Sequence, residues 1–167
     1  QVEIQTGILS RSLSDMVVVD TNSRSCSVED SSFRVKKAVN GIHQGLVFKK
    51  VDSVLRGHVL RDLTILLASL NLPRCLLIPA NPSLGRTIRN GCYYIHNQPL
   101  HETDFSRDPE YPVRSSKVVD LLGESVEMSI HILRPDQDLP EKGIIVGETS
   151  DEADVSAWVK RLDDKTL

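Results

Sequence analysis

The sequence predicts an α/β fold: a mostly parallel β-sheet with helices on both faces (a three-layer sandwich) and a small β-hairpin insertion. Short apolar runs recur along the chain without polar alternation, which is typical of strands buried on both faces of a sheet. Helix-like segments separate these runs, and such alternation favours parallel pairing with right-handed crossovers. At 167 residues and 40% hydrophobic, the chain has the size of a single domain with one core.

Five apolar runs are the predicted strands. Each is shorter than a typical helix, and only one of them contains a polar side chain, His131. They lie at Met16–Val19, Leu46–Phe48, Cys75–Ile78, Ile130–Leu133 and Ile144–Val146.

Four helices are predicted around these strands. Ser27 and Asp30 form a capping-box pattern, which predicts a helix running to about Val39. The segment 59–70 repeats apolar residues at the i, i+4, i+7 spacing of an amphipathic helix. The remaining helices are predicted from a cap at Ser115 or Ser116 through Leu122, and from a cap at Ser150 over Asp151 to about Leu162.

Two segments interrupt the alternation. Gly91–Leu100 predicts a small hairpin that turns near His96 and Asn97. Thr103–Val113 is polar and contains two prolines. The acidic and histidine side chains within 101–108 suit Mg²⁺ ligation, and a polar, turn-forming connection explains them equally well.

Composition excludes several classes of partner. The net charge is −3, from 20 basic and 23 acidic side chains, so the chain lacks the basic footprint of nucleic-acid binding or of a polybasic membrane anchor. Its three cysteines have no CxxC spacing, which suits a reducing cytosol. No apolar stretch approaches the roughly 18 residues of a membrane span. These features predict a cytoplasmic protein without a nucleic-acid or membrane partner.

The stretch "KKVDSVLRGHV", residues 49–59, is the leading candidate site. Between a predicted strand and a predicted helix, Asp52–His58 becomes a loop at the carboxyl end of a parallel strand, where open α/β sheets bind ligands. The helix N-terminus favours an anion. Arg56 adds a planar fork for carboxylate or phosphate, and Gly57 allows close approach to the backbone.

Asp52 and Ser53 extend this interpretation to hydroxyl groups. A carboxylate facing an anion alone is out of place, whereas it can orient or partly deprotonate a ligand hydroxyl. The alternative is that Asp52 and Arg56 pair with each other and brace the turn, as ion pairs at loop ends commonly do. From the residues alone, both interpretations stay open.

A second loop has a similar design. It follows the predicted strand Cys75–Ile78 and presents Gly85, Arg86 and Thr87, which suit a second oxyanion. The alternative is a solvated loop with a structural glycine. Asp20 ends an earlier strand, where a dinucleotide-binding fold places the acidic residue that binds ribose, but no GxGxxG precedes it. The chain also has no Walker A sequence, so it lacks a P-loop nucleotide site.

Taken together, these motifs resemble those of the four-carbon acid sugar kinase family, bacterial enzymes that phosphorylate C4 sugar acids with ATP. "FKKVDSVLRGHV" is close to the family's Lys-Lys-Ile-Asp-Ser-Thr-Leu-Arg-Gly-Asn stretch. "IPANPSLGRTIRNGCYYIHNQPLHETDFSRDPEYPVRSS" follows in the same order, "VVVDTNSR" fits upstream, and "GIIVGETSDEADV" fits downstream. The resemblance therefore spans nearly the whole chain.

The resemblance implies an N-terminal domain that binds threonate, erythronate or an oxo-tetronate. It implies that ATP and Mg²⁺ bind mainly to a C-terminal domain, and it assigns no metal ligand to this chain. Its partner is a small-molecule sugar acid, and a homodimer is possible. Carried over by position, the catalytic residue is Asp52, and the substrate-binding residues are Ser53, Arg56, Gly57 and Arg86.

Three departures from the family pattern shape these expectations. The family's opening aspartate pair and its C-terminal domain lie outside residues 1–167, so we expect an incomplete N-terminal domain that is inactive by itself. Val54 and His58 replace the family's threonine and asparagine, and the family's acidic residue falls near Arg61 and Asp62. These changes imply an altered substrate preference or lost activity. The alternative functions are a non-catalytic sugar-acid-binding module and a flavodoxin-like nucleotide-binding regulatory domain.

Overall fold

A computed structural model describes residues 2–7, 15–42, 45–124 and 127–167. In this part of the chain, strands and helices do not strictly alternate: two strands, two helices, four strands, one helix, two strands and a last helix follow in order, and three single-turn 3₁₀ segments lie between residues 82 and 107. The strands are β1 (Val2–Thr6), β2 (Met16–Asp20), β3 (Arg74–Leu77), β4 (Arg86–Arg89), β5 (Cys92–Ile95), β6 (Gln98–Pro99), β7 (Ile130–Leu133) and β8 (Gly143–Gly147). The helices are α1 (Val28–Val39), α2 (Val59–Leu70), α3 (Val118–Leu122) and α4 (Glu152–Val159).

The central sheet is parallel, with strand order β3-β8-β7. Its middle strand is buried at every residue. Ile144 and Val146 point to one face, where they share a core cluster with Leu63 of α2. On the other face Gly147 lies so close to Trp158 of α4 that an added Cβ would come within 2.8 Å of the indole. Helices therefore cover both faces, as predicted.

A second parallel sheet pairs β1 with β2 in register from Val2–Met16 to Thr6–Asp20. The prediction that Leu46–Phe48 is also a strand is wrong, because the segment carries no ladder to any described residue. Leu46 and Phe48 are each 85% exposed. A run of apolar residues makes a strand only where a neighbouring strand is available, and here the segment lies between α1 and α2 and pairs with no described strand.

Helices α1 and α2 have the predicted bounds. Ser27 caps α1 by accepting from the Asp30 N–H at 3.1 Å. The two helices pack through Val35, Val39, Ile65 and Leu66. Neither contains enough apolar residues in sequence to cross a membrane, nor does any other helix within the described ranges.

The caps predicted for the two later helices are wrong. Lys117 precedes α3, and the Ser115 hydroxyl instead accepts from the Lys117 N–H. Asp151 caps α4 by accepting from the Asp154 N–H at 2.9 Å, so the helix begins one residue later than a Ser150 cap would place it. Aspartate competes well with serine for such a position because its charged oxygen also interacts favourably with the helix dipole.

The predicted hairpin is confirmed, with an additional strand. β4, β5 and β6 form an antiparallel sheet, and the turn between β5 and β6 places His96 and Asn97 at φ of 49° and 65°. Tyr93 on β5 is fully buried and reaches the main core cluster. The hairpin is thus packed against the parallel sheet rather than extended into solvent.

Candidate functional site

Residues 51–58, here called the clamp loop, connect segment 46–50 to α2. Val54 and Leu55 are only 1% and 3% exposed and fix the loop to the core. Leu55 takes a left-handed conformation, with φ of 65°. The first α2 hydrogen bond runs from the Asp62 N–H to the His58 carbonyl at 2.8 Å. The loop at the helix N-terminus is therefore as predicted, although residues 46–50 before it pair with no described strand.

Asp52 accepts hydrogen bonds from both backbone and side chains of the loop. Its Oδ2 accepts from the backbone N–H groups of Val54 (3.1 Å) and Arg56 (3.2 Å) and from Arg56 Nε (3.0 Å). Its Oδ1 accepts from Arg56 Nη2 at 3.0 Å and from Arg24 Nη1 at 3.1 Å. The Asp52–Arg56 pair that sequence alone left open is thus present, in a bidentate geometry.

These donors determine the charge of Asp52. Burial by itself would raise the pKa of the carboxyl, but the hydrogen bonds from the Arg56 side chain and from the Val54 and Arg56 N–H groups outweigh it and lower the pKa to about 2. The same contact raises the pKa of the Arg56 guanidinium. Both groups are fully charged at neutral pH.

A second carboxylate, Asp108, completes the surroundings of Arg56. Arg56 Nη1 donates to Asp108 Oδ2 at 2.8 Å, and the Phe105 ring lies 5.5 Å from the guanidinium. The N–H groups of Tyr111 and, to a lesser extent, Glu110 donate to Asp108 Oδ1 and lower the pKa of its carboxyl. Within the described residues no group of three or more histidine, cysteine or acidic side chains is placed to hold a metal.

Lys49 and Lys50 take different environments. Lys49 Nζ lies 2.8 Å from Asp62 Oδ2 in a largely buried ion pair, and the Ser31 hydroxyl donates to Asp62 Oδ1 at 3.2 Å. Lys50 is exposed. Lys49 therefore points inward, toward the first turn of α2.

A cavity of about 300 Å³ lies beside the clamp loop. Of the predicted site residues, Asp52 and Arg56 line it, whereas Ser53, Gly57 and Arg86 do not. Its walls are mostly polar and carry both charges. They comprise Asp20, Thr21, Asn22, Ser23, Arg24, Ser25, Lys49, Lys50, Val51, Asp52, Arg56, His58, Val59 and Asp62.

Tyr93 joins the clamp loop to the second predicted loop, residues 79–87, here called the proline loop. Its hydroxyl donates to the Ser53 carbonyl at 2.5 Å and to the Pro79 carbonyl at 3.1 Å. Burial raises the pKa of Tyr93 to about 12, against the nearby Arg86 charge. The Arg86 side chain has no hydrogen bond or ion pair to any described residue, so the proline loop leaves its cation free.

Arg24 and Asp108 are the charged partners of Asp52 and Arg56 that sequence reasoning missed. Arg24 lies 28 positions before Asp52 in the chain, and Asp108 lies 52 positions after Arg56. The available signal was the "VVVDTNSR" stretch, which matched the family pattern without a role for its arginine. Asp108 stood out only as one acidic residue in a run that suited Mg²⁺ or a turn.

The comparison with protein families is decisive here. The model of the sugar-binding N-terminal domain matches residues 2–164. The chain belongs to this family of sugar-binding N-terminal domains. Val54, where the four-carbon acid sugar kinases have a threonine, lies in the core of the sugar-binding domain rather than at its cavity. His58, by contrast, lines the cavity, and its Nε2 lies 2.8 Å from the Cys26 carbonyl.

Two curated relatives are kinases. A D-threonate kinase of Salmonella typhimurium is 27% identical over 121 residues, which make up 70% of the sugar-binding domain and 29% of the kinase. A D-erythronate kinase of Heliobacterium modesticaldum is 31% identical over 120 residues, 70% of the domain and 27% of the kinase. The sugar-binding domain thus spans less than a third of the length of either kinase.

A solved structure shares the fold. A protein from Bordetella bronchiseptica, crystallised with bound citrate as a domain-swapped dimer, superimposes with a TM-score of 0.76 at 24% identity. The superposition covers 98% of the sugar-binding domain and 47% of that chain. The α/β architecture described above is therefore shared with that protein.

Proposed function

We propose that this domain binds the acid substrate of an ATP-dependent four-carbon sugar-acid kinase. The observation that carries the proposal is the cavity beside Asp52, where guanidinium groups and hydroxyl-binding side chains face the same small volume. A C4 sugar acid carries one carboxylate and several hydroxyls and needs both kinds of partner. The kinases that match the domain act on such acids.

The cavity suits this ligand class in size and chemistry. About 300 Å³ lies at the small end of ligand pockets, which fits a compact acid better than a nucleotide. Thr21 and Ser23 offer hydroxyls 2.9 Å apart, and Asp20 anchors their turn by accepting from the Asn22 N–H. Citrate, the ligand of the related Bordetella protein, is likewise a hydroxyl-bearing carboxylate.

Within this function Asp52 has a positioning role. Its oxygens already accept from two arginines and two backbone N–H groups, and a pKa of about 2 makes it a weak base. Phosphoryl transfer depends mainly on positioning and charge stabilisation. The contacts of Asp52 support this narrower role, and its predicted catalytic role, like the substrate-binding roles of Ser53, Gly57 and Arg86, stays a prediction.

The remaining parts of the reaction are assigned by the same proposal. ATP with Mg²⁺ supplies the phosphoryl group from a second domain, and the reaction takes place in the cytoplasm. A homodimer is the assembly we propose, supported by the domain-swapped dimer of the Bordetella protein.

Calorimetry tests the proposal directly. The domain is titrated with D-threonate, L-threonate, D-erythronate and a 3-oxo-tetronate, and with threitol and erythritol as uncharged controls. We expect at least one acid to bind and the polyols to bind far more weakly. The protein at its full encoded length is then assayed for ADP release with the acid that binds.

The outcomes separate the candidate functions. Binding without ADP release at full length favours a non-catalytic sugar-acid-binding module. If no acid binds and a nucleotide alone raises the melting temperature, the sugar-acid assignment is wrong and a nucleotide-binding domain replaces it.

A further inference from the structure

Two arginines share one oxygen of Asp52 but differ in how many of their donors are engaged. Arg56 is 22% exposed and uses Nε and Nη2 on Asp52 and Nη1 on Asp108. Arg24 is 56% exposed and uses only Nη1, on Asp52 Oδ1 at 3.1 Å. Within the described residues, the other donors of Arg24 are unengaged and its side chain lines the cavity.

The charge around Arg56 is unfavourable for an anion. Its one positive charge lies between the carboxylates of Asp52 and Asp108. Aspartates of ordinary pKa are already ionised at neutral pH, and the pKa values of these two are lowered further. These three groups together carry a net charge of −1. Arg24 is the cation that brings this cluster back to neutrality, and it lies on the open side.

The main chain of Arg24 is fixed by Tyr111, and its guanidinium is restrained by the contact with Asp52. The Tyr111 hydroxyl donates to the Arg24 carbonyl at 2.8 Å. A Cβ on Gly57 would lie 2.9 Å from Arg24 Cγ and 3.3 Å from its carbonyl oxygen, so the absence of a side chain at Gly57 makes room for Arg24. Restraint before binding reduces the conformational entropy that a long side chain loses when it grips a ligand.

We propose that Arg24, rather than Arg56, receives the carboxylate of the bound acid. This inference rests on the proposed sugar-acid function. Asp52 holds both guanidinium groups, Arg56 and Asp108 form the rigid base, and the free edge of Arg24 makes the bidentate contact that a planar carboxylate prefers. Gly57, which the sequence placed against the ligand, also makes room for Arg24.

Calorimetry with matched variants tests this assignment. Arg24→Gln is compared with Arg134→Gln, which removes an equally exposed arginine whose ion pair, to Asp136, lies outside the cavity. We expect Arg24→Gln to weaken binding of the C4 acid about 10-fold to 100-fold, the scale of a hydrogen bond to a charged group. Arg134→Gln is expected to bind like the wild type.

Two further measurements distinguish ligand contact from a structural role. Arg24→Lys keeps the charge but loses the fork, so its affinity is expected between those of the wild type and Arg24→Gln. The preference for threonate over threitol is expected to collapse in Arg24→Gln, since only the acid carries the carboxylate. A variant that merely disturbed the loop would weaken both ligands together.

The outcomes also separate this inference from the function on which it rests. Full affinity in Arg24→Gln, with affinity lost in Arg56→Gln, overturns the assignment and leaves the sugar-acid function intact. If the wild type binds no C4 acid, citrate becomes the probe. If citrate binds and its binding depends on Arg24, the carboxylate site is supported and the sugar-acid function is not. If no carboxylate binds, both the Arg24 assignment and the sugar-acid function are overturned.

Discussion

The clamp loop and the proline loop each contain an arginine, and the two arginines differ in how their charges are paired. Arg56 donates to two carboxylates, whereas Arg86 has no side-chain partner among the described residues. The Tyr93 hydroxyl bonds to the backbone of both loops, so the two arginines differ in their pairing although their loops are neighbours in the structure. An arginine that is paired with carboxylates is fixed in position but attracts an anionic ligand less strongly. An unpaired arginine attracts an anion more strongly, but its side chain is not held in one position.

The largest effect is expected when the paired side of this comparison is broken. Asp52→Ala removes the acceptor of two guanidinium groups and two backbone N–H groups, and we expect the free energy of unfolding to fall by ~2–4 kcal/mol. Urea denaturation measures it. Asp136→Ala, which breaks an exposed ion pair, is the control and is expected to change stability by less than about 0.5 kcal/mol. Equal effects of the two changes would show that the Asp52 contacts in the clamp loop contribute little to the stability of the domain.

Removing the link between the loops is expected to have an intermediate effect. Tyr93→Phe leaves the Ser53 and Pro79 carbonyls without their buried donor, and we expect a loss of ~1–2 kcal/mol. The matched control is Tyr94→Phe, because the Tyr94 hydroxyl makes no hydrogen bond to the described part of the chain. A loss confined to Tyr93→Phe confirms the link, and equal stability of the two variants contradicts it.

Acid titration sharpens the comparison through Asp52. Its pKa is about 2 in the folded domain, below the ordinary value of 3.8. The stabilising contribution is therefore fully present above about pH 4 and is lost as the pH falls toward 2. We expect Asp52→Asn to be less stable at pH 7 and to lose stability less steeply between pH 4 and pH 2, as followed by thermal melting. Parallel curves for the variant and the wild type would remove Asp52 as the source.

The smallest effect on stability is expected on the unpaired side. Arg86→Gln breaks no side-chain ion pair or hydrogen bond to the described residues, so the free energy of unfolding should change by less than about 0.5 kcal/mol. Arg56→Gln, which leaves two carboxylates facing each other, is the contrasting variant and should cost several times more. Similar losses for both would mean that Arg86 has a structural partner.

Local signals predicted much of this fold. Helix α1 follows from the Ser27 cap, and α2 follows from its leucine stripe, because each pattern is contained in the segment that folds. The prediction of a strand at residues 46–48 was wrong because a strand needs a neighbouring strand to pair with, and an apolar run does not specify one. The predicted N-caps of α3 and α4 were wrong because neighbouring serine, lysine and aspartate residues are alternatives for the N-cap position of each helix.

The site was predicted where its residues are close in sequence. Asp52 and Arg56 form one i,i+4 pair within a single motif, and both line the cavity. Arg24 and Asp108 reach the same carboxylate and guanidinium from distant segments, and only the tertiary structure brings them there. Ser53 fell within the motif, but its carbonyl rather than its hydroxyl makes the contact that the structure records.

The missing ladder at residues 46–50 has a consequence for how the domain responds to its ligand. These residues make no sheet hydrogen bonds to the described strands, and the inward Lys49–Asp62 pair ties them to α2. Their amide protons should therefore exchange with solvent far faster than those of β3. A ligand that settles against Lys49 and Asp52 would slow that exchange. Deuterium uptake across this short segment is thus an occupancy signal that requires neither phosphate transfer nor a second domain.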